Sequence, residues 1–154
     1  MLASIARAAN GAAGGLAEID PLELSDVLGT PHVIVLDCRS TEEHEVSHIA
    51  GAHRVDPDWP RLPRALDDES LVVCACAVGL RSAAVAAELI KQGLVRRESC
   101  RNLAGGLFAW HNAGLPLVDA SGPAARIHAY SRLWLPLLER RELSVLGRSG
   151  SVTG

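Results

Sequence analysis

Two short, continuously apolar runs constrain the fold of this chain more than any other feature. Val33-Ile34-Val35-Leu36 is apolar and mostly β-branched, and the stretch from Leu71 to Ala75 is equally apolar. Neither run alternates between apolar and polar positions, as a strand with one face in water would. Continuous runs of this length are typical of strands that are covered on both faces in a parallel sheet. The chain is therefore predicted to fold around a buried parallel sheet.

Helix signals lie between and around these two strands. The capping patterns Asp20-Pro21-Leu22-Glu23 and Ser40 with Glu43 predict helices over residues 21–28 and up to about residue 46. The other elements expected from apolar spacing and from glycine or proline breakers are a strand at 53–55, a short helix ending by residue 66, a helix stopped by Gly93, a strand at 100–103 and a helix at 107–113. Strands that alternate with helices predict an α/β fold, a three-layer sandwich with a mainly parallel central sheet flanked by helices. Its ligand site is expected beyond the carboxyl ends of the strands.

Composition limits the protein to one modest core. At 154 residues and 48% hydrophobic, the chain is most simply a single domain. Its net charge of −3 offers no basic surface for nucleic acid, and no apolar run approaches the roughly 20 residues that cross a bilayer. Cysteines at 38, 74, 76 and 100 form no disulfide framework, which favours a reducing compartment. A cytoplasmic location is expected, and the alanine-rich start of the chain, with Arg7 as its one charge, leaves a mitochondrial presequence as the alternative.

The chain divides by composition into a core and three flanking segments. The expected division is a disordered tail over residues 1–17, the domain over 18–120, an extension over 121–140 that packs on the domain, and a second disordered tail over 141–154. The extension carries apolar side chains that must be covered, namely Tyr130, Trp134, Leu137 and Leu138. They are expected to pack within the monomer, because Pro136 breaks the long helix that a helix-pair dimer would prefer. A homodimer is the alternative.

The segment Cys76-Ala77-Val78-Gly79-Leu80-Arg81-Ser82 places a thiol on a short loop between the second apolar strand and a helix. The backbone N–H groups of such a loop and of the first helical turn lack partners within the helix and can converge on an anion. A thiolate is stabilised and reactive there. The alternative is that Cys76 is a small buried hydrophobe, as most free cysteines are. Gly79, Arg81 and the helix start favour the reactive interpretation.

Five segments carry a resemblance to a known family. They are Ile34 to Arg39 with Glu42-Glu43-His44, then His48-Ile49-Ala50-Gly51-Ala52, then Val73 to Ser82, then Asn102 to Trp110, and last Gly114-Leu115-Pro116. In their order and spacing, over about Glu18 to Val118, they resemble the rhodanese (sulfurtransferase) family. The resemblance implies a rhodanese-like sandwich with neither cofactor nor metal. It also implies that the Cys76 thiolate attacks the outer sulfur of a donor, that the loop amides hold the persulfide, and that cyanide or a thiol carries the sulfur away.

The length and side chains of the loop narrow this chemistry. Phosphatases that share the fold have one more residue between cysteine and arginine, whereas four residues separate Cys76 from Arg81 here, which favours sulfur over phosphate. Many active family members place a basic residue and a serine after the cysteine, where this chain has Ala77 and Val78. The lost cation weakens attraction for a dianion such as thiosulfate. We therefore expect an organic or protein-bound persulfide donor and a thiol acceptor, with a thioredoxin-like protein as one candidate. A non-catalytic binding or regulatory module of the same fold is the alternative.

The remaining candidate residues surround the loop. The substrate is expected to contact the loop residues Ala77, Val78, Gly79, Leu80 and Arg81, with Ser82 in a supporting role. Arg39, beyond the end of the first apolar strand, is expected either to bind substrate or to pair with Glu42 or Glu43. Asp37 is expected to order the pocket by accepting hydrogen bonds.

Other residues of suggestive type have structural explanations. His44 and His48 have the i,i+4 spacing of a metal pair, but a turn at His48 argues against a metal. Cys38, Cys74 and Cys100 are expected in the core. A redox role for Cys74 with Cys76 stays open, although strand geometry places the two sulfurs poorly for a disulfide.

Overall fold

The computed structural model describes residues 1–12 and 14–146 and has a five-stranded parallel sheet at its centre. In the order β1-β5-β4-β2-β3, the strands are Glu18–Ile19 (β1), Cys100–Leu103 (β5), Leu71–Ala75 (β4), Val33–Asp37 (β2) and His53–Arg54 (β3). The two continuously apolar runs are the adjacent strands β2 and β4, with nearly every residue buried. The predicted α/β sandwich with a parallel sheet is confirmed.

Helices cover both faces of this sheet. Within the described residues the α-helices are Leu2–Ala12 (α1), Pro21–Val27 (α2), Thr41–Val46 (α3), Leu80–Lys91 (α4) and Gly106–Asn112 (α5). One hydrophobic cluster joins α2 and α5 to one face of the sheet, and a second joins α4 to the other face. Burial on both faces explains why β2 and β4 carry continuous apolar runs. No helix in residues 1–12 or 14–146 is long and apolar enough to span a membrane.

The register between β2 and β4 fixes the position of the site. Leu36 pairs with Cys74 and Asp37 pairs with Ala75. The Cys38 N–H donates to the Ala75 carbonyl at 2.8 Å. Both strands therefore end at the same level, at the carboxyl edge of the sheet. The chain leaves β4 at Cys76 beside the end of β2, which is where a parallel sheet offers a ligand site.

Both predicted capping boxes form. At α2, the Asp20 carboxylate accepts from the Leu22 N–H at 2.9 Å and the Glu23 carboxylate accepts from the Asp20 N–H at 3.1 Å. At α3, the Ser40 hydroxyl accepts from the Glu43 N–H at 3.2 Å while the Glu43 carboxylate accepts from the Ser40 N–H at 3.0 Å. Each box satisfies backbone donors that the helix leaves unpaired. The second box also fixes the buried Glu43 side chain close to the cysteine loop.

The structure differs from the sequence prediction at two places in the first half of the chain. Residues 56–66 form irregular turns and contain no helix, because Pro57, Pro60 and Pro63 each lack the backbone donor that a helix needs. Residues 1–17 were expected to be disordered, but α1 occupies Leu2–Ala12 and Leu16 is buried. Side chains of α1 that include Leu2 pack against the core, which supplies the burial that the sequence alone did not reveal.

A carboxyl-terminal strap, residues 127–138, follows the hairpin of β6 (Leu117–Asp119) and β7 (Gly122–Ala124). Its first strand, β8 (Ile127–His128), contacts α3 and pairs in parallel with β9 (Ser144–Val145). Pro136 lies within a 3-10 turn, Arg132–Leu137. The predicted disorder over 141–154 is not found at Arg141–Leu143 and β9, which are an ordered turn and a strand. Residues 147–154 of that segment lie outside the described residues.

Candidate active site

Cys76 lies in the tight loop that joins β4 to α4. Its Sγ accepts a hydrogen bond from the Gly79 N–H at 3.1 Å and lies 3.4 Å from the Ser82 hydroxyl oxygen. Gly79 has φ 96 and is the N-cap of α4, a left-handed conformation that suits glycine. The loop thus turns a backbone donor and the start of a helix toward the sulfur. A backbone N–H and a helix start are groups that can bind an anion.

Asn102, on β5, holds the loop from the neighbouring strand. Its Oδ1 accepts from the Ser82 hydroxyl at 2.7 Å, and its Nδ2 donates to the Gly79 carbonyl at 3.0 Å. Ser82 has one hydroxyl proton, so it can serve either the amide oxygen or the sulfur at a given moment. This role of Asn102 was missed at the level of sequence. The available signal was an amide side chain at the carboxyl end of a buried strand, beside the strand that carries the cysteine.

Gly106 brings α5 against the cysteine loop. The Leu107 N–H donates to the Cys76 carbonyl at 2.8 Å, and the Phe108 N–H donates to the Ala77 carbonyl at 3.0 Å. A Cβ on Gly106 would overlap the Cys76 carbonyl oxygen and would lie 2.6 Å from that of Ala77. The N-terminus of α5 therefore holds the loop through these two hydrogen bonds.

Arg81 is held by a buried acid. Its two terminal nitrogens each donate to a carboxylate oxygen of Glu43 at 2.7 Å, and its guanidinium carbon lies 4.6 Å from the centre of the Tyr130 ring. Burial works against a charged Arg81, but the hydrogen bonds and charge of Glu43 raise the pKa of Arg81 above its ordinary value. Burial opposes the charge on Glu43, but the hydrogen bonds from Arg81 and Ser40 and the charge of Arg81 together lower the pKa of Glu43. The arginine expected to meet substrate thus has its charge already paired.

Asp37 organises the end of β2. Its carboxylate accepts from the Arg39 Nε at 2.9 Å, from the Arg39 Nη2 at 2.6 Å and from the Arg39 N–H at 3.1 Å, and His44 Nδ1 lies 2.8 Å away. Burial opposes the charge on Asp37, but the hydrogen bonds to Arg39 and His44 keep its pKa well below the ordinary range. Asp37 therefore accepts hydrogen bonds, as expected from the sequence.

Arg39 does not form the ion pair expected as one of its two alternative roles. It is buried, pairs with Asp37 and donates to the Ser47 carbonyl at 2.7 Å, so its partner is neither Glu42 nor Glu43. The ion pair between Asp37 and Arg39 forms because the backbone turns after β2. No spacing of residues in the sequence predicts this pairing. His44 and His48 stack face to face with ring centres 3.8 Å apart. The side chains of Arg39, His44 and His48 lie between β2 and α3.

The family of the chain follows from its match to a known domain. The sequence profile of the rhodanese-like domain matches residues 20–113, which is most of the domain just described. The chain belongs to the rhodanese-like domain family. A curated relative, the thiosulfate sulfurtransferase GlpE of Actinobacillus succinogenes, is 30% identical over 106 residues, which cover 68% of this chain and 93% of the relative. The predicted family is thereby confirmed.

Solved structures and further relatives show how widely this domain is used. A thiosulfate sulfurtransferase from Pseudomonas aeruginosa matches with a TM-score of 0.56 and 34% identity, over 68% of this chain and 19% of that one. A rhodanese-related protein from Thermoplasma volcanium matches with a TM-score of 0.55 and 26% identity, over 66% and 97%. The tRNA uridine(34) hydroxylase of Staphylococcus aureus is 29% identical over 99 residues, only 30% of its length. Rhodanese-like domains thus occur in proteins with different activities.

The apolar side chains of Ala77 and Val78 in this rhodanese-like loop pack into the core. Ala77 and Val78 are buried and belong to the same hydrophobic cluster as Ile127 of the strap. Only their backbones remain to face a ligand. Leu80 is the exposed apolar residue of the loop. The apolar character of the two residues after Cys76 is therefore explained by packing against the core rather than by contact with substrate.

The other three cysteines of the rhodanese-like domain are buried on the α4 side of the sheet, as expected. Hydrogen bonds with Cys100 and Cys38, together with burial, raise the pKa of Cys74 well above its ordinary value. A thiol of raised pKa is a poor nucleophile at neutral pH. The hydrogen bond with Cys74 lowers the pKa of Cys100, which is fully buried at the start of β5. Cys76 differs from all three in that its sulfur accepts a loop amide N–H at a helix N-terminus.

Proposed function

We propose that this rhodanese-like domain is a sulfurtransferase in which Cys76 carries sulfane sulfur as a persulfide and passes it to a thiol or to cyanide. One observation carries the proposal: the Cys76 Sγ accepts the Gly79 N–H at 3.1 Å and lies at the start of α4. Both features favour a negatively charged sulfur. The thiosulfate sulfurtransferases among its relatives support the same reaction class.

The reaction consists of two displacements at sulfur with no net oxidation. In the first, the Cys76 thiolate attacks the outer sulfur of thiosulfate, the S–S bond breaks, and sulfite leaves with the bonding pair. Cys76 then carries a persulfide anion. In the second, cyanide or a thiolate attacks the outer persulfide sulfur, and thiocyanate or a new persulfide leaves while Cys76 returns as a thiolate. With an organic persulfide donor, the group that leaves in the first step is a thiolate.

The pairing of the nearby arginines bears on the choice of donor. Arg81 is neutralised by Glu43, and Arg39 is neutralised by Asp37. A doubly charged donor therefore gains little Coulomb energy from either side chain. An organic persulfide needs no such charge, because its outer sulfur can be held by the backbone amide. We propose persulfides as the preferred donors and thiols as the acceptors.

Mass spectrometry after incubation with a persulfide donor tests the proposal. We expect a gain of about 32 Da, one sulfur atom, on the peptide that carries Cys76. Cys76→Ser should abolish the gain, since a hydroxyl is not ionised at neutral pH. Cys38→Ala, which removes a buried thiol outside the loop, is the matched control and should load normally. Equal loading of the Cys76→Ser protein contradicts the assignment.

A binding or regulatory module of the same fold is the second candidate. The observation in its favour is that Cys76 is only 1% exposed and lies beside an arginine whose charge is paired. In that case, no donor would load Cys76 although the protein remains folded. A partner would then bind wild-type and Cys76→Ser proteins equally well. Loading of Cys76 by any persulfide donor decides in favour of the sulfurtransferase.

A further inference from the structure

The strap packs in the same hydrophobic cluster as two residues of the cysteine loop. Ile127, Ala129 and Leu138 are fully or almost fully buried, and they share a hydrophobic cluster with the loop residues Ala77 and Val78. Asn112 ties the strap to α5, because its Nδ2 donates to the Leu137 carbonyl at 2.9 Å and its Oδ1 accepts from the Glu139 N–H at 3.0 Å. The strap is thus anchored to the domain and packs in the cluster that contains Ala77 and Val78.

Tyr130 interrupts the strap in a strained conformation. It is the one non-glycine residue of the described chain with positive φ, at 64°. The Ser131 N–H donates to the Ala129 carbonyl at 2.7 Å across it, which closes a three-residue γ-turn. The Tyr130 N–H donates to His128 Nδ1 at 2.9 Å, and the Ala129 N–H donates to the Val145 carbonyl at 2.8 Å. Such turns are rare and cost about 1–3 kcal/mol, and they persist where surrounding contacts hold them.

The strained turn places the Tyr130 ring over the start of α4. The ring centre lies 4.6 Å from the Arg81 guanidinium carbon and 6.3 Å from the Trp134 ring centre, edge to face. Glu43 holds Arg81 from the buried side, so the guanidinium is clamped between a carboxylate and a ring. Cys76 adds a smaller electrostatic contribution to that of Glu43 in raising the pKa of Arg81. The ring thus lies over the Arg81 guanidinium and is half exposed, whereas Cys76 is 1% exposed.

We propose that Tyr130 is a specificity-determining residue whose ring narrows the approach to Cys76, so that low-molecular-weight sulfur donors and thiols reach the sulfur and protein thiols do not. The role in choosing the acceptor rests on the proposed sulfurtransferase function. The restriction of access itself does not, because it applies to any reagent that attacks Cys76. Cation–π contact with Arg81 and the edge contact with Trp134 hold the ring in place.

Alkylation with reagents of two sizes tests the restriction. The full-length protein is treated with iodoacetamide and, separately, with a maleimide that carries a polyethylene glycol chain, and modification of Cys76 is followed by mass spectrometry. Tyr130→Gly removes the ring and suits the positive φ, and Tyr130→Asn is a second small residue that tolerates it. We expect either change to raise the rate with the bulky reagent, relative to iodoacetamide, by about tenfold, equivalent to about 1.4 kcal/mol of barrier. Tyr130→Phe keeps the ring and should keep the wild-type ratio.

A purely structural role gives a different result. If losing the ring only loosens the strap, the rates with both reagents rise together and the ratio stays constant, which overturns the proposal. An unchanged ratio in both small-residue variants, with unchanged rates, overturns it as well. With persulfide-loaded protein, reduced thioredoxin should discharge Tyr130→Gly faster than wild type, while a small thiol discharges both alike. Failure to load Cys76 at all removes the sulfurtransferase function but leaves the alkylation ratio to decide on Tyr130.

Discussion

At the scale of single residues, the cysteine loop depends on the absence of a side chain at Gly106. The space that a Cβ would need there is filled by the carbonyls of Cys76 and Ala77. The same close approach lets the Leu107 and Phe108 N–H groups reach those carbonyls. Gly106 therefore combines a positive φ of 62° with a backbone contact that no other residue type permits. The positive φ and the close backbone contact of Gly106 together position the loop that carries Cys76.

Gly106→Ala should destabilise the protein and disturb the loop. The left-handed conformation costs an alanine about 1–2 kcal/mol, and the steric overlap adds about 1–3 kcal/mol. Gly114→Ala is the matched control, because Gly114 has φ 72 but no neighbouring atom within 4 Å of the position that an alanine methyl would take. Urea denaturation should show the larger loss for Gly106→Ala, and the rate of Cys76 alkylation should change only in that variant. Equal losses in the two variants would mean that the overlap is relieved at no cost.

The residues of the site were predictable to the extent that they follow one another along the chain. Cys76, Gly79 and Arg81 share one loop, and their spacing indicated a thiol at a helix start. Arg81 and Glu43 are far apart in sequence, as are Ser82 and Asn102, and no periodicity links them. The fork between Asp37 and Arg39 depends on how the backbone turns after β2. These contacts could therefore be identified only from the structure.

At the scale of elements, the strap is held by a few buried apolar side chains between exposed ones. Ile127 is fully buried, whereas Leu133 is 88% exposed in the same segment. The sequence predicted that apolar residues of this segment pack on the domain, but their order along the chain gives no helical or strand periodicity. It could not say which of them are buried, because β9 and Asn112, which fix the strap, lie outside it. The two helix caps, in contrast, depend on neighbours in sequence and were predictable.

Ile127→Ala should lower the free energy of unfolding by about 2–5 kcal/mol, as for other large-to-small changes in a core. Leu133→Ala is the matched control and should change it by no more than about 0.5 kcal/mol. Thermal and urea denaturation of both variants measure the difference. If Ile127→Ala also leaves stability unchanged, the strap does not contribute to the core in the way described. Sulfur loading of Cys76 should survive in Ile127→Ala, since the loop amides are intact.

At the scale of the whole molecule, two ion pairs with buried carboxylates lie near the carboxyl edge of the sheet. Asp37 and Glu43 are buried carboxylates, each held by an arginine. Nearby, His128 Nδ1 accepts a hydrogen bond from the Tyr130 N–H. This bond requires that Nδ1 carries no proton. Burial lowers the pKa of His128, which faces Glu42, Glu43, Arg39 and Arg81. The same region that positions Cys76 therefore carries three groups that couple folding to pH.

Stability should fall in two steps as the solution is acidified. The pKa of His128 is lower in the folded protein than its ordinary value, so the unfolded chain binds the proton first and stability declines as pH falls below about 6.5. The pKa values of Asp37 and Glu43 are also lowered, so a second decline begins below about pH 4, where the unfolded carboxylates take up protons. Urea midpoints measured from pH 8 to pH 3 test both steps.

His128→Asn, which keeps an acceptor near the Nδ1 position, should flatten the first step, and His53→Gln on exposed β3 is the matched control that should leave it unchanged. A first step that persists in His128→Asn would assign it to another group, and His111, whose pKa is also lowered by burial, is then the residue to replace.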